Sequence, residues 1–150
     1  MSTQKSLQRA AALERKAREV PPAVRAAREL AAKVIAAAAA GDVAALEALL
    51  ASGGQLTCAE AVGMGPLHHA AKAGHAAAVS WILEKGGVEA DVHDASGKTA
   101  LMWAAEQEHL SVMAALLDRG AAIDAVDSFG CAWRRRRWWW WRRWQRQRLC

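Results

Sequence analysis

Two stretches of this chain nearly copy one another. Gly65-Pro66-Leu67-His68-His69-Ala70-Ala71-Lys72-Ala73-Gly74-His75 returns 34 residues later as Thr99-Ala100-Leu101-Met102-Trp103-Ala104-Ala105, closing at Glu108-His109. A unit this short cannot bury its own apolar face and must lean on its neighbours, so a recurrence of this period dictates a stacked array. Each copy is followed by apolar residues at helical spacing: Val79, Ile82 and Leu83 within 76–85, then Val112, Met113, Leu116 and Leu117 within 109–119. Gly86 and Gly120 follow these segments where a left-handed C-terminal cap is expected. Thirty-three residues before Gly74 and Gly86 stand Gly41 and Gly53, so residues 41–50 read as the second helix of an earlier unit. Between the units, Asp94-Ala95-Ser96-Gly97-Lys98-Thr99 reads as an extended finger with a tight turn, since Asp and Gly suit that geometry.

The string Pro66-Leu67-His68-x-Ala70-Ala71-x-x-Gly74-His75 resembles the ankyrin repeat, whose Thr-Pro-Leu-His-x-Ala-Ala core opens the first of two antiparallel helices. The resemblance implies an all-α ankyrin-repeat solenoid with short hairpin-like fingers over residues 30–130. Within it, a degenerate unit at 30–61 precedes clear units at 62–95 and 96–128. A basic amino-terminal segment, 1–29, comes before the array, and an Arg/Trp-rich segment, 131–150, comes after it. It also implies a non-catalytic protein-binding module that uses a concave groove and finger tips. On that basis His69, Trp103, Glu106 and Gln107 on first helices, and Val62, Met64, Ser96 and Lys98 on fingers, are the expected partner contacts. Trp81, beside Ile82 and Leu83, reads as core in its second helix.

Two departures stand out. In the family the motif Thr and His bond each other and the neighbouring backbone, yet Gly65 replaces the Thr in one unit and Met102 replaces the His in the next. Neither unit can form that pair, and reduced local rigidity is expected. Gly86 to Asp94 also holds one residue more than Gly120 to Asp127, which predicts a bulged finger.

Upstream, residues 6–19 are rich in strong helix formers but carry a thin apolar stripe. Pro21-Pro22 ends that helix and starts another, with Pro22 at its first position, running through Leu30, Val34 and Ile35 to Ala40. Val34 aligns with Leu67, and Ala37-Ala38 with Ala70-Ala71, so this helix opens the degenerate unit and the upstream helix is placed to cap it.

The net charge of +5 averages three unlike segments. Residues 1–40 hold eight Lys/Arg and three Glu, 41–127 hold four Lys/Arg and twelve Asp/Glu, and 128–150 hold eight Arg and no acid. The −8 of the middle segment calls for a protein partner with a basic surface. A fourth unit begins at Asp127-Ser128-Phe129-Gly130 and then breaks off. Six of the eight tryptophans crowd into the last 18 residues, among Arg134, Arg135, Arg136, Arg137, Trp138, Trp141, Arg142 and Arg143. Two readings compete. Trp and many Arg codons end in GG, so a shifted reading frame would yield this mixture and leave a truncated fragment without independent function. Alternatively the segment binds anions, a membrane surface or a nucleic acid, through Arg–phosphate pairing and Trp in headgroups or on bases. Either way, Val112, Met113, Leu116 and Leu117 lack a regular following unit and are expected to be left open unless the tryptophans fold back over them.

Cys58, Cys131 and Cys150 include no Cys-x-x-Cys pair, which argues against a disulfide framework or zinc site and for a reducing compartment. There is no secretory signal and no membrane-length apolar run, while Glu14 and Glu19 argue against a transit peptide. A cytoplasmic or nuclear location is expected. His68, at the motif position, and His75 and His109, at helix entries, have structural explanations; His69 is expected on the concave side and His93 in a loop. No two histidines sit four apart on a helix with a partnering ligand, so no metal and no cofactor is expected. Ser80, Ser96, Ser111 and Ser128 lack a nucleophile signature, and Gly63-Met64-Gly65 lacks the Lys and Ser/Thr of a phosphate loop. The sequence does not read as an enzyme.

Overall fold

The computed structural model describes residues 21–60, 62–85 and 87–128. Six helices follow one another: α1 Pro22–Ala40, α2 Val43–Ala51, α3 Pro66–Ala73, α4 Ala76–Lys85, α5 Ala100–Glu106 and α6 Leu110–Asp118. They form three antiparallel pairs, and no sheet is present among the described residues. The first helices α1, α3 and α5 pack side by side in one layer, and the second helices α2, α4 and α6 in another. This is the all-α solenoid that the repeat period requires.

Local sequence sets each start and stop. Pro22 and Pro66 occupy first helical positions, where a missing N–H costs nothing. Asp42 caps α2 by accepting from the Ala45 N–H at 3.0 Å, and the Thr99 hydroxyl accepts from the Met102 N–H at 3.4 Å. α1 is one unbroken helix, so the expected segment boundary at residue 30 falls inside it. Its first nine positions from Pro21 to Glu29 are exposed, and only from Val34 onward does it enter the core.

One continuous core runs through the units, from Val34, Leu46 and Leu56 through Leu67, Val79 and Ile82 to Leu101, Val112 and Leu116. Leu67 and Leu101, equivalent across 34 residues, are each 1% exposed. Burying each contributes about 1.5–3 kcal/mol. Between first helices the fill is alanine: Ala70, Ala71, Ala104 and Ala105 are all buried, and their small side chains let the helices approach closely. Val112, Met113 and Leu116 are buried as well, because they face the shared core rather than the open end of the stack; only Leu117 is left half-buried. The expectation that this set would be open is therefore corrected.

The loop inside each pair is built on a left-handed residue at Gly41 (φ 74°), Gly74 (φ 88°) and Glu108 (φ 64°). In the first two, the histidine that opens the next unit's second helix lies directly against the glycine. A Cβ on Gly41 would fall 2.5 Å from His75 Cγ, and one on Gly74 would fall 2.8 Å from His109 Cε1. His109 also bonds through Nε2 to the Lys72 carbonyl at 3.1 Å.

The fingers are alike. Gly63 N–H bonds the Glu60 carbonyl and Gly97 N–H the Asp94 carbonyl, while the Glu60 and Asp94 amides return to the Met64 and Lys98 carbonyls. Successive fingers are joined edge to edge, Ala95 N–H to the Val62 carbonyl and Ser128 N–H to the Ser96 carbonyl, each at 3.1 Å. The predicted bulge is not in the finger. Gly53, Gly87 and Gly120 are all left-handed, and each stands seven residues before its finger residue Glu60, Asp94 or Asp127. The extra residue is thus taken up where α4 ends, ahead of Gly87. Gly86 itself, expected as the α4 cap, is not among the described residues. His93, expected in a loop, forms an isolated antiparallel bridge with Thr99.

The broken Thr–His pair does not leave loose ends. His68 Nδ1 accepts from the Gly65 N–H at 3.2 Å, and His68 Nε2 donates to the Val92 carbonyl at 2.9 Å. Thr99 caps α5 unaided. Each half keeps its own backbone partners, so the expected loss of rigidity is corrected.

Candidate groove for a protein partner

Fingers overhang the first-helix layer, and the concave side lies between them. The residue that organises it is Trp103 on α5. Its indole N–H donates to Asp94 Oδ2 at 2.9 Å, and the ammonium groups of Lys72 and Lys98 lie 4.9 and 4.6 Å from the ring centroid. Lys98 also reaches Glu106 at 2.6 Å. An indole held by a hydrogen bond and two cations is a rigid, half-buried surface that costs little ordering entropy when another molecule packs on it.

Asp94 holds this arrangement together. It is 7% exposed, and its Oδ1 accepts from the Ser96 and Lys98 amides at 2.8 and 2.9 Å. Burial alone would raise its pKa, but bonds from the Lys98 amide, the Trp103 indole and the Ser96 amide, with the field of His68, lower it below the usual carboxylate value. The same side chain therefore closes the finger turn and fixes the orientation of the groove tryptophan.

The expected contact residues divide into groups. Trp103, Lys98 and Glu106 form one cluster with Asp94 and Lys72. His69 lies on α3 in register with Trp103; its Nε2 is 3.7 Å from Glu60 Oε2 and has no hydrogen-bond partner among the described residues. Val62 is 55% exposed at a finger tip, and Ser96 is half-buried in the next finger. Gln107 is exposed, with its N–H closing α5 on the Trp103 carbonyl at 3.2 Å. Met64 is corrected: at 7% exposure it turns inward and offers a partner almost no side-chain surface. Arg134–Arg137, Trp138, Trp141, Arg142 and Arg143 lie outside the described residues, as does the helix expected at 6–19.

Asp94 and Lys72 were not among the expected contacts, although the repeat period pointed to one of them. Lys72 is the 34-residue equivalent of Glu106, as His69 is of Trp103, so all four belong to one stripe of the first-helix layer. Asp94 had been assigned only a turn role.

A second concavity of about 290 Å³ lies behind the finger bases, lined by Leu56, Cys58, Leu67, His68, Val88 and Val92. Its polar atoms are already engaged. Burial raises the Cys58 thiol pKa, which keeps it a poor nucleophile, and both His68 nitrogens are bonded. Among the described residues no three His, Cys, Asp or Glu side chains converge as a metal site would require. No helix among them is long and apolar enough to cross a membrane.

A family model for ankyrin repeats, three copies, matches residues 34–127, which is more than half of the 150-residue chain. Its span coincides with the three helix pairs and their fingers. The chain belongs to the ankyrin-repeat family, whose members are generally protein–protein interaction modules without catalysis. No curated protein matches the chain at a significant level.

Proposed function

We propose that this chain is a non-catalytic binding module that holds a protein partner in the groove centred on Trp103. The observation that carries the reading is the immobilised indole, bonded to Asp94 and flanked by Lys72 and Lys98 at the middle of the concave layer. Finger residues Val62 and Ser96 flank the groove, and His69, Glu106 and Gln107 continue it along the first helices. Aromatic anchors in semi-rigid settings dominate the energetics of such interfaces. Nothing in the second concavity supports bond-making chemistry, since its thiol is deactivated and its imidazole engaged.

The acidic total of residues 41–127 had pointed to a basic partner, but most of that charge sits on the second-helix layer, away from the groove. A basic surface thus fits the outside of the stack better than its centre.

The reading is tested by affinity purification with the intact chain and with Trp103→Ala. Proteins recovered with the first and lost with the second, at unchanged far-ultraviolet circular dichroism, support it. An identical set of recovered proteins removes it.

A further inference from the structure

We propose that the groove takes a partner segment bearing a carboxylate, which it presents to Lys72 across the face of Trp103; this rests on the groove reading above and specifies the chemistry of the occupant. The segment 41–127 carries twelve acidic residues and only four Lys/Arg, yet two of those four, Lys72 and Lys98, converge on one indole ring. The neighbouring negative charges are already matched. Asp94 is buried and accepts from the Trp103 indole and two backbone amides. Glu106 is 2.6 Å from Lys98 Nζ, and Glu60 is 3.7 Å from His69 Nε2. Lys72 is exposed and makes no ion pair with any described carboxylate. The unmatched charge at the centre of the groove is therefore positive.

Seven of the twelve acids, from Asp42 through Glu47 and Glu84 to Asp118 and Asp124, belong to α2, α4, α6 and the loops flanking them. A Lys/Arg-bearing segment would be drawn to that outer layer and repelled at Lys72. A segment carrying Asp, Glu or a terminal carboxylate would instead be repelled outside and paired inside. The two layers together discriminate more sharply than either alone, because specificity is a difference between attraction at one place and repulsion at another. The indole adds to this: an ammonium resting on its face is partly stripped of water on one side, which strengthens its pairing with an incoming anion.

A phage-displayed random peptide library panned against the intact chain tests the proposal. The retained peptides are then counter-screened on Trp103→Ala. Peptides captured by the arginines between 134 and 148 bind both chains alike and drop out at this step. The Trp103-dependent peptides are expected to be enriched in Asp and Glu. Fluorescein-labelled copies should bind Lys72→Glu about tenfold more weakly, and Lys72→Gln more weakly by a smaller factor. Replacing the acidic residue of the peptide with Lys should restore binding to Lys72→Glu. Trp103-dependent peptides enriched in Lys and Arg, or bound equally by both Lys72 variants, overturn the acidic-segment proposal and leave the groove reading standing. If every retained peptide binds Trp103→Ala as well as the intact chain, the groove reading falls and this proposal falls with it.

Discussion

Glu108 and His68 show how much single positions decide in this stack. Glu108 adopts φ 64°, a conformation that disfavours a side chain with a Cβ, at the position where the two preceding units have glycine. Glu108→Gly should therefore stabilise the protein by about 1 kcal/mol. Gly74→Ala should destabilise it by more, because the new methyl would meet the His109 ring as well as an unfavourable backbone angle. Urea midpoints at unchanged slope measure both effects. His68 makes a pH prediction. Burial, the largest influence, lowers its pKa from the ordinary 6.5, against smaller upward pulls from the Val92 carbonyl and Asp94. A folded value below the unfolded one means that the unfolded chain binds more protons in the interval between them. The stability due to His68 is thus complete above about 6.5 and is lost as pH falls through its depressed folded value. Asp94 acts with the same sign at lower pH, its share being lost as the pH drops below 3.8. The urea midpoint should fall between pH 7 and 5 more steeply in the intact chain than in His68→Gln; parallel slopes would reject the assignment.

At the scale of helices and fingers, the joints are set by the smallness of the side chains between first helices. Ala70 and Ala104 are 0% exposed with no room beside them. Ala104→Leu, conservative in polarity, should cost about 1–3 kcal/mol or more by forcing α3 and α5 apart, which thermal unfolding would report. The helices themselves were legible from the chain, because apolar residues at helical spacing and the glycine and proline punctuation sit where backbone geometry needs them. The location of the extra residue before Asp94 was not legible, since Gly86 and Gly87 are interchangeable in a sequence and differ only in backbone angle. The burial of Met64 was also hidden, because a finger position reads as exposed until its side chain's direction is known. Trp103 could be placed in the groove from its register in the repeat. Its bond to Asp94 could not, as it joins a finger and a helix nine residues apart through a rotamer that no pattern encodes.

For the molecule as a whole, the nearest-neighbour character of the stack predicts an uneven resistance to opening. The exposed first part of α1 has only its own backbone bonds, while α3 lies between two first helices. Amide hydrogen exchange should be fast over residues 23–32 and slowest over α3 and α5. Uniform protection across α1 would contradict the packing described. The seams between units differ in what they demand of a successor. Along the fingers, backbone pairs with backbone, and Ser128 already engages Ser96 without regard to side-chain identity. Along the loops, the successor's imidazole needs the vacant space above a glycine, and at position 108 a glutamate stands there instead. A designer wishing to graft a consensus unit after Ser128 would find the finger edge permissive and the loop edge shut, and replacing that one glutamate with glycine is the change that would open it.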